Sequence, residues 1–290
     1  KNLLPMSTSP LVSTAWLASR LPSVKLVDAS WYLPGAKRDA KAEYQERRIG
    51  NAVFFDLDGQ TDDASGLPHM LPSPGFFSHT MSSMGISNDD HVICYDGLGI
   101  FSAPRFWWMM RAFGHKRVSV LNGGLPAWLA AGQPIERGAP EPQVAADSPF
   151  MAKLDTSLVC SLTNLVKNLE CATVEEKFIV LDARPAGRFN GKEPEPRPGL
   201  RSGHIPGSLN VPHGCLLAAD GSMLADEELQ RVFVEAGVHI DEPLAVSCGS
   251  GVTAAVLALA LAQLKRPNVS LYDGSWTEWG ASDLPIQGPS

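Results

Sequence analysis

The chain repeats itself, and this constrains its fold more than any other feature of its 290 residues. Val24-Lys25-Leu26-Val27-Asp28-Ala29, an apolar run closing on Asp-Ala, returns about 150 residues later as Phe178-Ile179-Val180-Leu181-Asp182-Ala183. Three further pairs follow in the same order: Ile49 to Val53 with Ile205 to Leu209, Val92 to Asp96 with Leu244 to Cys248, and Leu121 to Trp128 with Tyr272 to Trp279. Collinear matches of this kind mean a duplicated domain, and the chain is long enough for two separate cores.

Each copy alternates short apolar strands with helical stretches, the pattern that builds an α/β fold around an open parallel sheet. The apolar runs read as strands buried on both faces. In the first copy Ser102 is placed to cap a helix that runs to Phe113 and stops at Gly114; in the second, Gly249 to Gly251 leads into an apolar helix, Val252 to Leu264. Pro134, Pro140, Pro142 and Pro149, set among Ala, Asp and Glu, mark a linker or strap between the copies. The expected organisation is a first domain over 1–140, a linker over 141–155 and a second domain over 156–290.

Composition excludes several functions. Hydrophobic residues make up 44% and charged residues 19%, without low-complexity tracts, as in an ordered globular protein. A net charge of -7 supplies no basic field, so no nucleic-acid partner is expected. The Val252 to Leu264 run falls short of the roughly 20 residues that cross a bilayer, so no membrane partner is expected either. Five cysteines, Cys94, Cys160, Cys171, Cys215 and Cys248, are too scattered for a disulfide framework or a zinc site. They fit a reducing compartment, cytosol or mitochondrial matrix. The opening Lys-Asn-Leu-Leu-Pro leaves a removed targeting peptide open.

The strongest chemical signal is Val246-Ser247-Cys248-Gly249-Ser250-Gly251-Val252-Thr253. It sets a cysteine at the carboxyl end of a buried strand, just before a helix, where open α/β sheets present their ligand sites. Two glycines let the loop curl its N–H groups inward, and with the positive helix end they would favour a thiolate there. An ordinary buried cysteine is the competing reading. The repeat supplies a control: the equivalent position in the first copy is Asp96, followed by Gly97-Leu98-Gly99, so only the second copy offers a sulfur nucleophile.

With that loop, the chain resembles the rhodanese superfamily, in particular its 3-mercaptopyruvate sulfurtransferases, whose loop reads Cys-Gly-Ser/Thr-Gly-Val-Thr. The likeness extends to Asp28 to Tyr32, Leu67 to Pro72, Glu193 to Arg197, Gly203 to Gly207 and Tyr272 to Trp279. It implies two tandem rhodanese-like domains, each a parallel sheet flanked by helices. It also implies a two-step transfer in which Cys248 takes sulfur from 3-mercaptopyruvate, pyruvate leaves as its enol, and the Cys248 persulfide passes its sulfur on.

Two arginines of the family fall on Arg188 and Arg197, which would grip the substrate carboxylate, with Gly249, Gly251, Val252 and Thr253 completing the substrate site. A planar guanidinium suits a carboxylate better than Lys would. A surface ion pair is the alternative for Arg188, and a solvated charge face beside Glu193 and Glu195 for Arg197. A Ser-His-Asp set falls on Ser250, His69 and Asp58 as proton-transfer groups. Without the resemblance, His69 reads as a loop histidine and Asp58 as a turn residue. The implied acceptors are thiols such as thioredoxin or dihydrolipoate, or cyanide. No metal or organic cofactor is required.

The nearest rival is a thiosulfate sulfurtransferase, a branch that carries basic residues after its cysteine where this chain has Gly249 and Ser250. A cysteine phosphatase would need an arginine at position 254, which is Ala254. A persulfide carrier or redox sensor without catalysis would need only the cysteine.

Overall fold

In the computed structural model, which describes residues 8–142, 144–146, 148–173 and 177–288, the repeat becomes two parallel sheets with the same strand order. The first copy runs β1 (Leu11–Val12), α1 (Thr14–Ala18), β2 (Lys25–Asp28), α2 (Ala40–Glu46), β3 (Val53–Phe54), α3 (Pro74–Ser83), β4 (Val92–Tyr95), α4 (Ala103–Ala112), β5 (Val118–Leu121) and α5 (Gly124–Ala130). The second runs β6 (Val159–Cys160), α6 (Leu162–Glu170), β7 (Ile179–Asp182), α7 (Ala186–Phe189), β8 (Leu209–Asn210), α8 (Asp226–Glu235), β9 (Leu244–Ser247), α9 (Ala254–Gln263), β10 (Ser270–Tyr272) and α10 (Ser275–Trp279). The sheets are ordered β1-β5-β4-β2-β3 and β6-β10-β9-β7-β8. This is the α/β architecture that the sequence implies.

Register repeats as well, with Asp28 opposite Tyr95 in one sheet and Asp182 opposite Ser247 in the other. Strands β4 and β9 are buried at all four positions, which is why their sequences show no polar alternation. From β7 the sheet extends to β8 and from β9 to β10 at the opposite side, so the winding direction reverses between β7 and β9. A crevice opens at such a point beyond the carboxyl ends of the strands, and Cys248 follows one of them.

The cores are separate. Tyr95, Leu121 and Trp128 pack in one, and Tyr272, Trp276 and Trp279 in the other. The apolar run after Thr253 is helix α9, buried from Ala254 to Ala262. Ser102 does sit at the start of α4, but its hydroxyl does not cap the helix. It donates to Ala29 O at 2.7 Å and accepts from Trp31 N at 3.0 Å.

One compact unit takes residues up to Gln60, Pro72–Asp155 and Ala219–Met223; the other takes Thr61–Leu71, Thr156–Ala218 and the chain from Leu224 on. The end of the Pro-rich stretch is fastened to the first unit: Phe150 is buried against Phe77, and the Phe150 and Ala152 amides donate to Ser82 and Ser78 hydroxyls on α3.

The two short inserted segments are equivalent to each other. In the second unit the Leu71 amide donates to Asp273 Oδ2 at 2.8 Å; in the first, the Met223 amide donates to Asn122 Oδ1 at 2.8 Å. Asn122 and Asp273 are repeat partners. Two residues before each anchor, His69 (φ 63°) and Gly221 (φ 79°) share the left-handed conformation. Gly221 meets the backbone of Gly99, whereas His69 brings an imidazole to the corresponding loop of the second unit.

Candidate active site

Strand β9 delivers Cys248 to the carboxyl edge of its sheet, where the residue is 2% exposed. The loop then curls through Gly251 (φ 78°) into α9. Its outer side is fastened by three consecutive residues: Trp276 N donates to Cys248 O at 3.0 Å, Thr277 N donates to Gly249 O at 2.9 Å, and Cys248 N donates to Ser275 Oγ at 3.3 Å. Along the curl, the amides of Gly249, Ser250, Val252 and Thr253 have no acceptor among the described residues. Successive N–H groups left open in a loop of this kind suit an anion.

His69 is buried, with its Nδ1 3.0 Å from Ser250 Oγ. A bulky residue held at positive φ is uncommon and persists only where its surroundings fix it. Here the Leu71 anchor on Asp273 supplies that constraint. Ser250 and His69 are therefore hydrogen-bonded to each other. Asp58 belongs to the first unit, where its carboxylate accepts Trp31 Nε1–H at 2.9 and 3.0 Å.

Arg188 follows β7 on α7 and reaches the cysteine loop: a Cβ built on Gly249 would lie 3.0 Å from Arg188 Nη2. A side chain at 249 would oblige the guanidinium to give by a few tenths of an ångström. Arg188 is not a lone surface ion. Its Nε and Nη2 both donate to Glu195 Oε2, while Glu195 Oε1 accepts from Arg184 Nη1 at 2.7 Å. Arg184 in turn grips Asp182 and stacks over Trp276, 4.3 Å from the ring centroid. Glu195 thus holds one edge of Arg188, and Nη1 has no hydrogen-bond partner among the described residues. Arg197 lies half-buried in the loop between α7 and β8.

Glu195, Arg184, Ser275 and Thr277 were not singled out by sequence. Glu195 reads there as part of an exposed charged loop, yet its side chain is 2% exposed because two guanidinium groups surround it. Burial pushes the Cys94 thiol well up and the Cys160 thiol up to about 12, which leaves both poor nucleophiles at neutral pH. Burial also lowers His213, the carbonyl of Ala183 opposes this, and the Arg188 charge adds to it.

Two stretches, residues 13–131 and 161–282, match the rhodanese-like domain. The chain is 43% identical over 304 residues to thiosulfate/3-mercaptopyruvate sulfurtransferase 1, mitochondrial, of Arabidopsis thaliana, covering 97% of this chain and 79% of that one. It is 46% identical over 286 residues to the 3-mercaptopyruvate sulfurtransferase of Escherichia coli strain K12, covering 97% and 99%. The crystal structure of SseA from Escherichia coli superposes with a TM-score of 0.82 at 42% identity, covering 93% and 99%.

Proposed function

The chain belongs to the rhodanese family, and on that premise we propose that it is a sulfurtransferase that takes sulfur from 3-mercaptopyruvate onto Cys248 and passes it to a thiol or cyanide. The observation that carries this reading is the cysteine at the start of a loop in which the amides of Gly249, Ser250, Val252 and Thr253 have no acceptor among the described residues, with a guanidinium beside Gly249. Those amides stabilise negative charge on sulfur, and Arg188 takes the donor carboxylate through its uncommitted Nη1.

In the first half-reaction the Cys248 thiolate attacks the donor sulfur. An S–S bond forms, the donor C–S bond breaks, and its electron pair leaves on carbon as the pyruvate enolate, which takes up one proton. We infer that Ser250, hydrogen-bonded to His69, moves that proton; the family resemblance alone adds Asp58 to the set. Arg197 is the second carboxylate ligand, and Gly249, Gly251, Val252 and Thr253 line the sulfur pocket. In the second half-reaction an acceptor thiolate such as thioredoxin or dihydrolipoate attacks the outer sulfur and returns the Cys248 thiolate. Cytosol or mitochondrial matrix is the compartment we infer; among the described residues no helix is long and apolar enough to cross a membrane.

The test is incubation with 3-mercaptopyruvate or thiosulfate in the absence of acceptor, followed by the mass of the peptide containing Cys248 and by pyruvate release. A gain of one sulfur on Cys248, faster with 3-mercaptopyruvate and matched by pyruvate, is the expected outcome. Faster gain from thiosulfate would transfer the chain to the thiosulfate branch. No gain from either would leave a carrier or sensor.

A further inference from the structure

The two copies hold their loops by opposite means. In the first unit the Asp96 carboxylate accepts from the amides of Leu98, Phe101, Ser102 and Ala103 at 2.8–2.9 Å, so a side chain of the loop itself keeps these N–H groups turned inward. In the second unit, among the described residues, no side chain accepts from the amides of Gly249, Ser250, Val252 or Thr253, and the loop must keep its shape while sulfur arrives and leaves. Its fastening lies outside, on the first residues of α10.

The repeat shows which of those bonds are particular to the second copy. Leu125 N donates to Asp96 O at 3.0 Å just as Trp276 N donates to Cys248 O. The flanking positions differ: Gly124 and Pro126 stand where Ser275 and Thr277 stand. Gly124 has no side-chain acceptor and Pro126 neither hydroxyl nor N–H. Ser275 keeps the left-handed conformation of Gly124, φ 49° against 54°, although it carries a side chain for which that conformation is strained. It is fully buried, its Oγ accepting from Cys248 N at 3.3 Å and donating to Tyr272 O at 2.8 Å. Thr277 Oγ1 lies 3.0 Å from Gly249 O and 2.8 Å from Gly274 O.

A trans peptide points its C=O and the following N–H in opposite directions. Fixing Gly249 O outward on Thr277 therefore turns the Ser250 N–H inward, and fixing Cys248 O on Trp276 turns the Gly249 N–H inward. We propose that Ser275 and Thr277 are positioning residues that hold the loop amides in place for sulfur anions on Cys248, doing from outside what Asp96 does from inside in the other copy. The inference rests on the sulfurtransferase reading for its purpose, though not for its test.

The test uses the full-length protein carrying Thr277→Val, Thr277→Ser or Ser275→Gly, the last keeping the left-handed backbone. The readouts are the pH profile of Cys248 alkylation by iodoacetamide, which needs no sulfur donor, and single-turnover sulfur gain from 3-mercaptopyruvate. Thr277→Val and Ser275→Gly should each move the alkylation midpoint to higher pH by about half a unit or more. Each should slow sulfur gain about three- to tenfold with little change in the half-saturating donor concentration, and Thr277→Ser should restore both readouts. Unchanged alkylation profiles in folded Thr277→Val and Ser275→Gly overturn the proposal, even if sulfur is gained normally. A shifted profile in a protein that gains sulfur from no donor upholds the loop-positioning role and removes the sulfurtransferase reading instead.

Discussion

The loop after β4 and the loop after β9 share a backbone plan and differ in what fills it. The first encloses the carboxylate of Asp96, hydrogen-bonded to four amides of its own loop and helix start. The second holds Cys248, with the amides of Gly249, Ser250, Val252 and Thr253 open among the described residues and an arginine beside Gly249. The same concavity for negative charge is spent on structure in one copy and kept for chemistry in the other. The difference begins with one residue, Asp or Cys at the end of the strand, and extends to Ser275 and Thr277 in place of Gly124 and Pro126.

Breaking the second copy should have the largest effect. Cys248→Ser should abolish sulfur gain entirely while the thermal unfolding profile stays close to that of the parent, because the side chains are nearly the same size. Sulfur recovered on that variant after donor treatment would remove Cys248 from the mechanism. The mirror experiment in the first copy is Asp96→Ala, which strands four inward amides in a buried loop. Each such bond to a charged acceptor contributes roughly 1.5–3 kcal/mol, and non-additivity brings the expected loss to about 3 kcal/mol in denaturant unfolding. If stability is unchanged, the Asp96 carboxylate does not hold the loop together.

Arg188→Ala sharpens the contrast at the rim. Losing a charge-assisted grip of roughly 2 kcal/mol should raise the half-saturating 3-mercaptopyruvate concentration about tenfold or more, with a smaller effect on thiosulfate, which has no carboxylate. Equal loss with both donors in steady-state assays would mean that Arg188 shapes the loop and does not bind the carboxylate.

The duplication, the sheet and the cysteine loop are legible in sequence because each is a local pattern: a buried run, a strand end, glycines at a tight curl. Other features depend on what meets in space. Strands β1 and β6 are two residues each, too short for any periodicity, and form because β5 and β10 offer edges. Glu195 sits in Glu193-Pro194-Glu195-Pro196-Arg197, which reads as solvated charge until Arg184 and Arg188 converge on it. The inserted segment that carries His69 has no sequence mark of its equivalence to Ala219–Met223, since only the anchors Asn122 and Asp273 reveal it. Ser275 and Thr277 did carry a signal, the replacement of Gly124 and Pro126 within an otherwise matching stretch. Its meaning depended on knowing that these positions touch the loop.

The smallest expected effect lies beneath the loops, at the Asp that ends β2 and β7. In the second copy Asp182 is paired with Arg184. In the first, the position of Arg184 is taken by Ser30, whose N–H and O–H donate to Asp28 Oδ1 at 3.0 and 2.5 Å, and among the described residues no cation is paired with it. Burial accordingly raises the Asp28 carboxyl from 3.8 to about 6, with hydrogen bonds from Ser30 opposing and the nearby Asp96 charge adding to the rise. A carboxyl whose folded value lies above its unfolded value binds its proton more tightly in the folded state. Its contribution is thus fully present below about pH 4 and is lost as pH rises through about 6. At pH 7.5 the first copy carries a buried, uncompensated charge. Asp28→Asn keeps the Oδ1 acceptor and removes that charge. It should stabilise the protein by about 1–2 kcal/mol at pH 7.5 in urea unfolding, an advantage that vanishes near pH 4. Asp182→Asn should do the reverse at pH 7.5, because it deprives the buried Arg184 of a partner. Loss of stability in both variants at pH 7.5 would mean that Asp28 is compensated after all, and the contrast between the two copies would then stop at their loops.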